Sequence, residues 1–153
     1  MKIKRVRVGD IIKIELGGGY SSFARVLENP LVVFYDGRIK TDKNISLEDI
    51  ISKPILFKVC VMRNAFKSEN WSIVGNIDLD EELKKEPHFF KKDLISGKFT
   101  IYYKGMETPA TKQDCQGLEV AGVWGFCHIE DRLRDYYDGV PNKWVEADKK
   151  LLS

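Results

Sequence analysis

Residues 55–79 read ILFKVCVMRNAFKSENWSIVGNIDL, and their pattern decides the fold class. Ile55, Phe57, Val59 and Val61 fall on one side of an extended chain, and Leu56, Lys58, Cys60 and Met62 on the other. A period of two with β-branched and aromatic residues marks a strand. One face is wholly apolar and the other mostly so, which predicts a central strand rather than an exposed edge. Pro54 stands where a strand can start without losing a ladder hydrogen bond. Arg63 to Asn70 is polar apart from Ala65 and Phe66, and Trp71 to Asn76 returns to apolar ground. No catalytic signature occurs in this stretch.

Upstream, Val6-Arg7-Val8-Gly9-Asp10 leads into a strand in which Ile12, Ile14 and Leu16 alternate inward. Gly17-Gly18-Gly19 permits the positive φ of a reversal. Tyr20 to Leu27 returns as a second strand, Asn29-Pro30 breaks it, and Leu31 to Tyr35 makes a third. Asp36-Gly37 is a hairpin-turn signal. Short strands in such succession form a meander, the way an SH3-like barrel or curled sheet begins.

Downstream elements are shorter. Ser46 to Asp49 has the form of a capping box for a helix to Ser52, which Pro54 ends. Asp78 is placed to cap a helix from Leu79 to Lys85, acids leading and lysines trailing, as the helix dipole prefers. Phe89-Phe90-Lys91 and Phe99 to Tyr103 flank Ser96-Gly97 as a hairpin. Thr111 to Asp114 repeats the capping pattern. Leu118, Val120, Gly122 and Trp124 alternate as a further strand. The clearest helix is His128 to Asp138, with Ile129, Leu133, Tyr136 and Tyr137 on one face and Gly139-Pro141 ending it. Lys143-Trp144-Val145 anchors a tail that then frays. The expected fold is α+β: an antiparallel β-rich meander, SH3-like or curled, with a few short helices and one C-terminal helix. It forms a single domain over residues 1–153 with its core at about 6–145; there is no repeat or linker to divide it.

Composition narrows the class. A chain of 153 residues buries roughly 70% of its unfolded surface and folds without a disulfide or metal. With 43% hydrophobic and 31% charged residues it reads as globular rather than disordered. A net charge of +2 is too small to point to nucleic acid or a membrane surface. Met1-Lys2-Ile3-Lys4-Arg5 leads into no signal-peptide core, and no apolar run approaches the ~20 residues of a membrane span. Cys60, Cys115 and Cys127 are odd in number and widely spaced, as reduced thiols are. A cytoplasmic location is expected.

Candidate chemistry is sparse. Gly17-Gly18-Gly19 lacks the Gly-Lys-Ser/Thr and the following helix of a phosphate loop. Cys115, Cys127 and His128 lack the pairing of a metal site, so no metal and no cofactor is expected. A thiol nucleophile would need His88 or His128 beside a cysteine, with an orienting carboxylate. Asp78, Asp80, Glu81 and Glu82 are simpler as a helix start than as hydrolytic carboxylates. Lys2, Lys4, Arg5 and Arg7 near Tyr20, Phe23, Phe34 and Tyr35 suggest an alternative function, a small-barrel module for single-stranded nucleic acid. A small hydrolase is the weaker alternative.

Several blocks in order carry a family resemblance. They are Val8-Gly9-Asp10-Ile11, Arg25-Val26-Leu27, Ser46 to Ile51 running into Pro54 to Val59, and Gly75-Asn76 followed by Leu79 to Lys85. Next come Pro87 to Phe90, Ser96-Gly97-Lys98-Phe99, Val123-Trp124, Ile129 to Arg134 and Pro141-Asn142-Lys143-Trp144. From about Val6 to Val145 the chain resembles the immunity protein 26 family of bacterial polymorphic toxin systems. The resemblance implies a β-rich, non-enzymatic protein that binds a cognate protein toxin and blocks it in the cytoplasm of the producing cell. Inhibitors of nuclease toxins are often strongly acidic, which a net charge of +2 does not match.

One surface is a candidate for that contact. Glu130, Asp131, Asp135 and Asp138 lie on the polar side of the last clear helix, with Trp144 close behind as an aromatic anchor. The plain reading of the same residues is a wet helix face and a buried tail anchor.

Overall fold

The computed structural model describes residues 5–28 and 30–153. Lys2, Lys4 and Asn29, which entered the reading above, lie outside the described residues. The first five strands are β1 (Asp10–Gly17), β2 (Tyr20–Val26), β3 (Leu31–Tyr35), β4 (Ile39–Lys40) and, after helix α1 (Leu47–Ile51), β5 (Ile55–Val61). A 3-10 turn at Arg63–Lys67 leads to β6 (Trp71–Asn76) and helix α2 (Glu81–Lys84). Then come β7 (Phe89–Lys92), β8 (Phe99–Tyr103), β9 (Met106–Ala110), β10 (Glu119–Val120) and β11 (Val123–Trp124). Helices α3 (Phe126–Asp138) and α4 (Lys143–Lys150) complete the chain.

The strands make two mixed, mostly antiparallel sheets, and neither closes or curls as the SH3-like expectation required. The larger has seven strands in the order β11-β5-β3-β2-β1-β6, with β4 joining β2; the smaller has four, in the order β10-β7-β8-β9. The reason is layering. Ile12, Ile14, Ala24, Val32, Phe34, Phe57 and Val59 face Ile129 and Leu133 of α3. Ile11, Phe23, Val33 and Tyr35 face Ile50 of α1, Leu83 of α2 and Phe89 of the small sheet. A sheet covered on both sides has no need to curl to bury its apolar surface.

The Gly17-Gly18-Gly19 turn is as expected: Gly17 pairs with Tyr20, and Gly18 and Gly19 have φ of 64° and 81°, the two positive values of a tight hairpin turn. Asp36-Gly37 is different, because β4 pairs with β2 and not with β3. The bend is held instead by α3. Tyr137 Oη donates to Tyr35 O at 3.3 Å and accepts from Gly37 N at 3.0 Å, and Tyr136 Oη donates to Asp36 Oδ2 at 2.7 Å. Of the four residues expected to pack α3, Ile129 and Leu133 are fully buried, but Tyr136 is 47% exposed and serves through its hydroxyl.

The stretch that anchored the reading opens on an inner strand, as expected, paired with β3 on one side and in part with β11 on the other. β5 is next to the edge, because β11 covers only Cys60 and Val61, and Ile55 is 49% exposed. The strand expected from Leu118 to Trp124 is split in two. Its first half, β10, runs parallel to β7 in the small sheet, and its second, β11, parallel to β5 in the large one. This short crossover joins the two sheets. The segment taken for a frayed tail is α4, capped by the buried Asn142, whose Oδ1 accepts from Trp144 N and Val145 N at 3.1 Å each. Asp80, not Asp78, caps α2, accepting from Leu83 N at 2.9 Å. Ser46 caps α1 as expected.

Candidate partner-binding surface

Several blocks that carried the resemblance meet in one knot at the open end of β1. Asn76 Nδ2 donates to Val8 O at 3.1 Å and to Asp10 Oδ1 at 2.9 Å, while Asp10 Oδ2 accepts from Arg7 N at 2.8 Å. Gly9 has φ of 90°, and a Cβ there would stand 2.6 Å from Ile77 O. Arg25, only 2% exposed, donates through Nη2 to Ile77 O and Asp78 O at 2.7 and 2.6 Å. A Cβ at Gly75 would collide with Leu47 of α1. These bonds tie the blocks into the scaffold, though the buried Arg25 Nε has no hydrogen-bond partner among the described residues.

The expected α3 strip is only partly on the surface. Glu130 is 5% exposed and points inward, accepting from Trp71 Nε1 at 3.0 Å and Asn70 Nδ2 at 3.2 Å. The helix turns this one carboxylate toward the indole at the sheet edge, where a buried N–H needs an acceptor. The other acids are each engaged within the chain. Asp131 pairs with Arg134 at 2.8 Å, Asp135 accepts from Asn142 Nδ2 at 2.9 Å, and Asp138 lies 3.7 Å from Arg38. With Arg134 and Arg38 among them, the face is mixed in charge rather than acidic. Trp144 is half-buried, its ring 4.3 Å from that of His128.

One turn away, Arg132 ties the layers together. It is bidentate to Glu119 at 2.9 Å per bond, and its guanidinium lies 3.6 Å from the Phe57 ring centre and 4.9 Å from that of Trp124. Asp148 of α4 stands near this group. Burial, with the Glu119 charge, pushes its carboxyl pKa up against the pull of Arg132.

The two sheets part around a cleft of about 760 Å³ lined by Leu31, Cys60, Glu86, Phe89, Tyr102 and Val123 among others. Burial and the Glu86 charge push the Cys60 thiol up, and burial does the same to Cys115, which keeps both as poor nucleophiles. The His88 ring stacks on Tyr103 at 4.0 Å and the His128 ring packs at a tilt of 52° against Trp144, and among the described residues neither hydrogen-bonds a cysteine. No group of three His, Cys, Asp or Glu side chains suited to a metal occurs among the described residues. The nucleic-acid platform is not built either: Phe23, Phe34 and Tyr35 are at most 2% exposed inside the sheet, and Tyr20 lies beneath Arg38, 4.4 Å away. Bases cannot stack on rings that α3 and the small sheet already cover.

A surface that sequence reasoning passed over is the β7–β8 hairpin loop. Leu94 is 82% exposed and Ile95 fully exposed there. The signal was available as two aliphatic residues between Asp93 and Ser96-Gly97, but an apolar pair in a turn is invisible to periodicity.

Among the described residues no helix is long and apolar enough to cross a membrane. No curated protein and no solved structure matches the chain. A family model described as immunity protein 26 matches residues 7–101, from the Gly9–Asn76 knot through the β7–β8 hairpin and into β8, and leaves α3 and α4 outside. The chain belongs to the immunity protein 26 family.

Proposed function

We propose that the chain is a single-domain, non-catalytic inhibitor that binds one cognate bacterial toxin domain and neutralises it in the cytoplasm of the cell that makes both. The match to immunity protein 26 over residues 7–101 carries this reading. The geometry is in keeping with it, since the polar groups described above serve the scaffold and the surface offers apolar projections. Inhibition by binding needs about 1,200–2,000 Å² of interface with a few anchors. Asp131 and Asp138 of α3 and Trp144 of α4 serve at most as the rim of such an interface, because the two carboxylates are already paired and the indole is half-buried.

The test is growth rescue joined to a binding measurement. Cells expressing the toxin domain encoded beside this chain stop growing, co-expression of the chain restores growth, and the two purified proteins elute as one complex. Failure of rescue with a folded, soluble chain overturns the reading. For the rim, Asp131→Lys with Asp138→Lys changes the association rate by no more than a few-fold at low salt, because Arg134 and Arg38 already offset the two acids. Asp135 is left intact there, because it orients the Asn142 cap.

A further inference from the structure

We propose that Leu94 and Ile95, at the tip of the β7–β8 hairpin, form the apolar anchor that enters a pocket with an acidic rim on the toxin domain. This rests on the inhibitor reading above and names the surface that carries it out.

The tip is held in shape without help from either apolar side chain. Asp93 Oδ1 accepts from Ile95 N at 2.8 Å and Ser96 N at 3.0 Å. Gly97 N donates to Asp93 O at 2.7 Å, Asp93 N donates to Lys98 O at 2.9 Å, and Lys98 N donates to Ser96 Oγ at 3.2 Å. Gly97 takes the positive φ, 73°, that closes the loop. The backbone is therefore fixed while Leu94 and Ile95 stand in water at 82% and 100% exposure. Single exposed aliphatics are ordinary on a protein surface. Two neighbours projected from a hydrogen-bonded loop are an anchor whose ordering cost is met before the partner arrives.

The surroundings select the occupant. The one acid of the loop, Asp93, is engaged by its own backbone, and the Ser96 and Ile95 N–H groups hold its carboxyl below the usual range. Lys98 has no ion pair among the described residues, and Lys92 Nζ donates to Leu151 O. The two lysines and the ionised Asp93 give residues 92–98 a net charge of +1, with Lys98 as the unpaired cation beside the tip. A second copy of the chain would bring like charges together. A membrane surface would gain only two short side chains, less than a single myristoyl chain, which by itself holds weakly. An acidic protein surface with an apolar depression fits both features. The tip also lies inside residues 7–101, the part of the chain that defines the family.

The experiment titrates the purified toxin domain encoded beside this chain against the wild-type chain and against Leu94→Asp with Ile95→Asp. The expected result is a Kd weakened at least about 100-fold, growth rescue lost, and an unchanged melting temperature. Leu94→Met with Ile95→Val restores binding to within a few-fold, and Lys98→Glu lowers the association rate at low salt. Wild-type and double-variant chains with equal affinity overturn the anchor and leave the inhibitor reading standing. A wild-type chain that neither binds nor rescues overturns both. Two further measurements use sedimentation and flotation with anionic phosphatidylserine vesicles. Self-association or vesicle binding that depends on Leu94 and Ile95, without an effect on the toxin, assigns the tip to another occupant and overturns the proposal.

Discussion

The two sheets of this molecule are built from similar residues and do opposite things. In the large sheet, Leu31-Val32-Val33-Phe34-Tyr35 is buried along its whole length, because α3 lies on one face and the small sheet with α1 and α2 on the other. In the small sheet, Phe99-Thr100-Ile101-Tyr102-Tyr103 is half-exposed at every position, and β9 beside it is exposed except at Ala110. Contacts there are of the surface kind, such as Lys91 with Glu107 and Lys91 over Tyr102. A strand covered twice contributes stability and can display nothing, whereas one covered once can lend its loops to a partner. The fold thus separates a scaffold from a display surface, and the apolar tip is on the second.

That division makes predictions of graded size. The largest concerns the scaffold: Leu133→Ala removes a fully buried side chain between α3 and the large sheet and lowers unfolding stability by about 2–5 kcal/mol. A denaturation midpoint that does not move would break the claim that α3 seals this face. Next is Glu130→Ala, which removes the carboxylate that accepts from the buried Trp71 N–H and costs about 1–3 kcal/mol. Glu130→Gln, keeping an acceptor, loses less. A surface carboxylate would give about 0.5 kcal/mol or less, so urea melts of the pair decide which side of α3 Glu130 is on.

Arg132→Met tests the seam between the sheets, where one guanidinium joins Glu119 to Phe57 and Trp124. A loss of about 1–2 kcal/mol is expected, with faster hydrogen exchange in β10 and β7. Protection confined to the large sheet in both proteins would show that the seam carries no load. A smaller effect comes from Asp148. Its folded-state pKa is raised, first by burial, so the folded state holds that proton more tightly than the unfolded chain. Protonation favours the fold as pH falls through the raised pKa toward the unfolded value, and ionisation above it opposes the fold. Asp148→Asn therefore raises the melting temperature slightly at neutral pH, and the advantage vanishes in acid. The smallest effect is a null. Leu94→Asp with Ile95→Asp changes stability by no more than about 0.5 kcal/mol, since neither side chain supports the loop; a large loss would move the tip from display to scaffold.

Legibility followed the range of the forces. Local signals were read well: the Gly18-Gly19 turn, the Ser46 cap, the β7–β8 hairpin and the Gly139 stop of α3, whose φ is 70°, each follow from a few adjacent residues. The α4 helix was also written locally, in Asn142 at its start, Glu146 in the first turn and Lys149-Lys150 in the last, but its short amphipathic face hid it. Leu118 to Trp124 read as one strand because alternation does not say which sheet each half will join. The acidic strip misled for a similar reason, since a helical wheel cannot tell that the Trp71 N–H waits for Glu130.

By itself, then, the sequence determined the α+β class, the Gly18-Gly19 turn, the β7–β8 hairpin, the Ser46 cap, the Gly139 stop and the family, because each is set by neighbouring residues or by the order of motifs along the chain. Only the tertiary structure decided that the sheets stay open, that several of the family blocks close one structural knot, and that Leu94 and Ile95 are left in the solvent. Those outcomes depend on what covers a surface. Coverage is a contact between segments far apart in the chain, which no local pattern records.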